Sequence, residues 1–307
     1  MQLTTVMYHY VRPISGSKYP NIKGLEVTEF SNQLDFLIKN YNIVSASEII
    51  ASIKGESVLP DNACWLTFDD GYKDNYLYVL DELSKRKLQG SFFLVSEACK
   101  GNIILDVNKI HFILDAVKNI GTLIEALKAQ IFQMGYSEEE WGKLYAKNAI
   151  ANRFDDKNTI FFKRMLQREL PQNLRSTVID NLFNRYVTTD HKEFAQNLYL
   201  NESEIDEMFK MGMHFGNHTC NHPWLNSLSY EEQRKEIIDA NYYLENIGVI
   251  SEDWVMCCPY GGYNDDTLKI LSDLECGAAV TVNAATTLLP IERKYEISRF
   301  DTNDFPK

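Results

Sequence analysis

No apolar run in this chain of 307 residues approaches the roughly 18 residues that a membrane-spanning helix needs, so no transmembrane span is expected. The opening "MQLTTVMYHYVRP" lacks both a basic leader and a long apolar stretch, and the chain therefore reads as cytoplasmic rather than secreted. Cysteine is sparse and unpatterned. The six residues, Cys64, Cys99, Cys220, Cys257, Cys258 and Cys276, form no CxxC pair, and buried reduced thiols are expected instead of a disulfide framework. Basic residues are in deficit, 31 Lys and Arg against 43 Asp and Glu for a formal charge of -12, and no Lys/Arg cluster stands out. That balance argues against a nucleic-acid or anionic-membrane partner and favours a small or neutral substrate. Internal repeats, low-complexity tracts and flexible linkers are also missing.

What is present is apolar material in quantity: 45% of residues are hydrophobic, enough for a large core. Strand-like and helix-like stretches alternate over the first hundred residues, the pattern of parallel strands joined by crossover helices. "LTTVMYHYV" reads as a strand, "TEFSNQLDFLIKNY" as an amphipathic helix capped by Thr28, and "NIVSASEIIASIKG" as a short strand and a helix opened by Ser45 or Ser47. "ACWLTFDD", "KDNYLYVLDELSKRK" and "GSFFLVSE" continue the alternation. Residues 101–198 then carry helical spacing almost without interruption, and βα alternation resumes through "MHFGNHT", "WVMCCPY", "AAVTV" and "EISRF". The expected organisation is one α/β unit made of 1–100 and 199–307, with 101–198 as a helical insertion serving as a lid or a dimer interface.

Three polar clusters fall at strand ends. In "LTFDDGYKDNY", Asp69 and Asp70 stand side by side where an apolar strand stops, and Gly71 allows a turn that brings both carboxylates to the mouth of the fold. Alone, the pair also fits a helix N-cap beside a solvated acid. In "HFGNHTCNHPWL", His218 and His222 follow a strand, and half of the chain's six histidines lie between 214 and 222. Two imidazoles and a carboxylate make a common zinc set with one position left for water. In "CCPYGGYND", Pro259, Tyr260, Gly261 and Gly262 impose a tight backbone path whose N–H groups can hold a developing oxyanion, or form an ordinary turn.

T-F-D-D-G at 67–71, H-T-x-x-H-P at 218–223 and P-Y-G at 259–261, in this order, resemble the first three motifs of the polysaccharide deacetylases, the NodB-homology or carbohydrate esterase family 4 group. The resemblance covers residues 1–100 and 200–300. It implies a distorted (β/α)7 TIM-like barrel that binds a divalent metal, usually zinc, with cobalt, nickel or manganese as alternatives. Asp70, His218 and His222 match the metal ligands, Asp69 the general base that takes a proton from water, and Tyr260 the residue whose backbone N–H binds the oxyanion. Two departures stand out. Cys257 occupies the place of an arginine that holds the base aspartate, and no histidine follows His222 to match the family's general acid. Arg299, in "EISRFD", can tether Asp69 from another direction or make a surface ion pair. His9 is the first substitute for the acid and His214 the second, each against a structural role, while His111 and His191 read as ordinary residues of the insertion. Tyr72, Trp224 and Tyr263 are candidate sugar-stacking walls or rim packing, and Pro259 and Gly261 shape the same turn.

The expected function is removal of an N-acyl group, most often acetyl, from a small or terminal amino sugar, such as a cytoplasmic intermediate of glycan synthesis. Hydrolysis of a non-sugar amide such as a ureide or cyclic imide is the alternative, and a non-catalytic carbohydrate-binding homologue is the third reading. A homo-oligomer is left open.

Overall fold

The computed structural model describes residues 2–151, 155–250 and 252–307. It divides into two compact units, one of residues 1–13, 24–103 and 195–307, the other of residues 14–23 and 104–194.

Among the described residues, the first unit is built on nine strands: β1 (Gln2–Tyr8), β2 (Asn42–Val44), β3 (Ala63–Phe68), β4 (Ser91–Leu94), β5 (His214–Asn217), β6 (Val255–Cys257), β7 (Ala278–Val280), β8 (Thr287–Leu288) and β9 (Phe300–Asp301). Their order is β7-β6-β5-β4-β3-β1-β8, with β2 also on β3 and β9 also on β1. Every pairing is parallel except β1 with β8, an antiparallel edge that the alternating pattern did not predict because two residues carry no periodicity. The segment 297–301 closes the curl, since Ile297 bridges Val280 of β7 while Phe300 and Asp301 pair with Val6 and Met7 of β1. The fold is thus α/β and barrel-like, with the carboxyl ends of the parallel strands gathered on one rim.

Strands buried on both faces read as continuous apolar runs, and β3 and β4 contain no exposed position. Leu3, Ala63, Trp65, Phe93, Val255, Cys257, Ala278 and Val280 form one core, inside which Trp65 Nε1 donates to Ser91 Oγ at 2.8 Å. Leu66, Phe68, Phe92 and Phe215 point to the other face and pack with Phe30, Leu34 and Leu37 of helix Val27–Asn40. Each such aromatic contributes about 1.5–3 kcal/mol through burial. Gly216 is required where it stands, because a Cβ there would collide with the Phe93 ring and the Val255 carbonyl.

Two local expectations change. The first helix begins at Val27, not after a Thr28 cap, since the Glu29 carboxylate accepts the Glu26 N–H and makes Glu26 the capping position. The helix expected after β3 opens as a π-turn, Asn75–Val79, before the α-helix Leu80–Lys85. Ser45, by contrast, caps its helix as read, accepting from Glu48 N.

The second unit is helical. Helices Asp106–Ala116, Ile120–Gln133, Glu138–Asn148, Lys157–Arg164 and Gln172–Tyr186 bury Phe112, Ile113, Leu127, Ile131, Phe161 and Leu182. The stretch 14–23 belongs with them: Tyr19 meets Phe112 edge to face at 4.7 Å, and Asn21 N donates to Asp115 Oδ1 at 2.5 Å. A segment so far upstream carries no helical spacing of its own, so its membership in this unit is a tertiary fact.

Candidate active site

Residues 65, 67 and 69 share one face of β3 and its extension, and that face is the inside of the barrel. Asp69 N donates to Tyr8 O at 2.9 Å, so the parallel register of β1 and β3 continues one residue past both strands and sets Asp69 beside His9. Asp69 and Asp70 are 2% and 3% exposed, which excludes the solvated N-cap reading.

Asp69 is held by Arg299. The guanidinium donates from Nη1 to Oδ1 and from Nη2 to Oδ2, both at 2.8 Å. Its remaining donors reach Thr281 O, Thr67 Oγ1 and Cys257 Sγ, so all five N–H groups of this buried side chain have acceptors. Arg299 is therefore no surface ion pair. The guanidinium arrives from the segment between β7 and β1, and it meets the small Cys257 side chain of β6 at 3.2 Å. Burial alone would raise the Asp69 carboxyl, but the Arg299 charge outweighs it and holds Asp69 below the usual carboxylate range.

Asp70 turns out of the strand with φ 72°, followed by Gly71 at 67°. Its Oδ1 lies 3.4 Å from His218 Nε2 and 3.3 Å from His222 Nε2. A tetrahedral ion with bonds of about 2.0–2.1 Å leaves roughly 3.3–3.4 Å between neighbouring ligand atoms, so both separations fit one divalent cation. Oδ1 is also buried and receives no hydrogen bond, a cost that a cation would remove. His218 Nδ1 sits 2.7 Å from Cys257 O, which orients the ring and leaves Nε2 facing the carboxylate. Burial pushes His222 down to about 3, toward the neutral imidazole that ligates metals, whereas at His218 burial is outweighed by Cys257 and the Asp70 and Asp69 carboxylates, which push it up and favour positive charge at its ring.

The loop carrying the histidines is strained and fastened. Thr219 and His222 have φ of 66° and 60°. Asn217 Oδ1 accepts Thr219 N, Thr219 Oγ1 accepts His222 N, and the Glu236 carboxylate accepts the N–H groups of Cys220 and Asn221. Non-glycine residues at positive φ persist where their surroundings over-determine them, and four of them, Asp70, Thr219, His222 and Tyr260, lie here. Asn217 and Glu236 were missed from sequence. Neither has a spacing that marks it, since one ends a strand and the other sits among the charges of helix Tyr230–Asn246.

Other expected residues divide. His9 is at the rim, its side chain 41% exposed and its Nε2 3.9 Å from Asp69 Oδ2. His214 opens β5 opposite Ser91, at the entry end of the strand and roughly 13 Å of extended chain from His218, so it is not placed to act as the acid. His191 Nε2 contacts Asn184 Oδ1 within the helical unit. Tyr260, with φ 57°, stacks on Trp224 at 4.6 Å and meets the His222 ring edge at 4.5 Å. Tyr72 is not a sugar wall: it is 1% exposed, stacked on Tyr10 at 4.2 Å, and its hydroxyl donates to Asp70 Oδ2 at 2.5 Å. Pro259 is buried and shapes only the backbone, Gly261 turns at φ 66°, and Tyr263 is tied to Glu296 Oε1 at 2.8 Å.

Comparison with known proteins agrees with this architecture. The Streptococcus pyogenes deacetylase PplD superposes with a TM-score of 0.60 at 18% identity, over 98% of this chain and 92% of that one. A de-N-acetylase from Aggregatibacter actinomycetemcomitans gives 0.57 at 15% identity over 98% and 94% of the two chains, and IcaB from Ammonifex degensii 0.57 at 17% over 98% and 91%. YxkH of Bacillus subtilis, which bears a polysaccharide deacetylase name, is 30% identical over 78 residues, 25% of this chain and 28% of its own length, so the match spans little more than a quarter of that relative. The polysaccharide deacetylase profile matches residues 57–139 and 145–279, a stretch that includes both aspartates, both histidines and the Pro259 turn, and on that match the chain belongs to the polysaccharide deacetylase family.

Proposed function

We propose that this protein is a metal-dependent hydrolase that removes an N-acyl group, foremost acetyl, from an amino sugar. The observation that carries the reading is the convergence of Asp70, His218 and His222 on one point, with a second, Arg299-paired carboxylate adjacent to it. Asp70, His218 and His222 would hold the ion. Zinc or a similar cation bound there would polarise the amide carbonyl and acidify water.

The chain's own groups divide the remaining work. Arg299 keeps Asp69 ionised, so that the carboxylate is ready to accept a proton from attacking water. The Tyr260 N–H, in its left-handed turn, is the proposed donor to the oxyanion. His9, near Asp69 and open to solvent, is proposed to deliver a proton to the departing amine. The Trp224–Tyr260 pair offers a flat aromatic surface beside His222 against which a sugar ring can lie. Elemental analysis of the purified protein, paired with acetate release from a panel of N-acetylated amino sugars, tests the proposal. Ammonia release from ureides or cyclic imides without acetate would replace it with the non-sugar amide reading, and a protein that holds no divalent metal would end it.

A further inference from the structure

One buried contact is left over once these roles are assigned. Asp70 uses only one oxygen toward the two imidazoles, and the other, Oδ2, accepts the Tyr72 hydroxyl at 2.5 Å. A carboxylate free to rotate can offer a cation either oxygen or both. Here the two oxygens are made unlike each other, one hydrogen-bonded and turned away, one buried without a hydrogen bond.

The phenol that does this has little freedom to move. Its ring lies between Tyr10 at 4.2 Å and Tyr199 at 6.1 Å, nearly parallel to both, and its backbone pairs with that of Tyr199 in an antiparallel bridge. Leu200 N donates to Gly71 O at 2.9 Å and Lys73 N to Leu198 O at 2.9 Å, so the chain is fixed on both sides of Tyr72. The Tyr10 ring that covers Tyr72 is itself buried, 3% exposed. Tyr10 is in turn capped by the Arg12 guanidinium, 4.8 Å from its ring centre and bonded to Asp74 at 2.6 Å.

We infer that Tyr72 is a positioning residue that locks Asp70 into presenting a single oxygen, Oδ1, to a divalent cation, with the stacked Tyr10 ring holding the Tyr72 ring in place. The inference rests on the metal-dependent reading above. Its chemical consequence is a bias toward few ligands: a carboxylate restricted to one oxygen suits a four-coordinate ion, whereas one released to chelate suits ions of higher coordination number.

The test is Tyr72→Phe, which removes one oxygen and keeps the stacked ring. Affinity for Zn²⁺, measured by competition against a chromogenic chelator, should fall about 10- to 100-fold, the usual effect of losing a partner that orients a ligand. The visible spectrum of the Co²⁺-loaded protein should weaken and shift as coordination rises, a change that loss of packing alone would not produce. Should Tyr72→Phe fail to fold by circular dichroism, Tyr10→Leu, which removes the ring stacked on Tyr72, is measured in the same way and should give a smaller loss of the same sign. Unchanged Zn²⁺ affinity and an unchanged Co²⁺ spectrum in the folded variant would overturn the inference while leaving the metal reading intact. Wild-type protein that binds neither ion would instead defeat the metal reading itself.

Discussion

Arg299 and Asp69 lie 230 positions apart in the chain and meet inside the barrel as a two-pronged pair, each carboxylate oxygen 2.8 Å from a different guanidinium nitrogen. Neither group has useful access to water, so the pair stands or falls together. Removing one partner of a buried pair leaves an uncompensated charge and costs about 3–5 kcal/mol. Arg299→Met should therefore lower unfolding stability by that order in a urea titration. The double variant Arg299→Met with Asp69→Asn should recover much of the loss. Additive effects of the two substitutions would show that the pair is not coupled.

Asp69→Asn alone separates the two acids. If Asp69 handles the proton and Asp70 the ion, the variant should retain bound metal near the wild-type ratio while turnover falls about 10²- to 10⁴-fold. His222→Ala should do the reverse in order of cause, losing metal first and activity with it. Metal loss from Asp69→Asn would mean that the roles of the two aspartates are exchanged.

Much of this site was legible because its residues cluster in the chain. Asp69 and Asp70 are adjacent at the end of a fully apolar strand, and His218 and His222 flank a single short loop, so their places at strand ends already set them near the rim. Arg299 was legible only as a candidate, since nothing in "EISRF" states that its side chain turns inward to Asp69. Tyr72 shows the limit more sharply. An aromatic residue next to a catalytic motif looks the same in sequence whether it faces a sugar or lies stacked behind the site, and only the packing of Tyr10 and Tyr199 decides. The left-handed backbone at Asp70, Thr219, His222 and Tyr260 leaves no trace either, because these residue types do not mark positive φ as glycine does. In the fold, the helices between 106 and 186 were visible from their spacing, while the two-residue strand β8 and the participation of 14–23 depend on tertiary contacts.

His9 provides a test of the proton to the leaving group. His9→Gln should slow hydrolysis of an N-acetyl amino sugar about 10²- to 10⁴-fold, because an amine leaves poorly without protonation. The same variant should be affected far less on an aryl acetate, whose phenolate leaves unaided. Equal losses on both substrates would assign His9 to positioning Asp69 rather than to acid catalysis.

His214 gives the fold a pH dependence separate from the site. It sits at the entry end of β5, its Nδ1 buried without a hydrogen bond, and burial pushes its imidazole down to about 4. A histidine depressed in the folded state stays neutral there while the unfolded chain takes up a proton near pH 6.5. Stability supported by the neutral ring is therefore complete above about pH 6.5 and declines as pH falls toward about 4. The ceiling is about 3 kcal/mol, and the half-buried position of the residue places the measured loss below it. Urea titrations at pH 7 and pH 5 should show wild type losing more stability over that interval than His214→Gln, which has no proton to gain. Parallel losses in the two proteins would move the acid sensitivity to other groups.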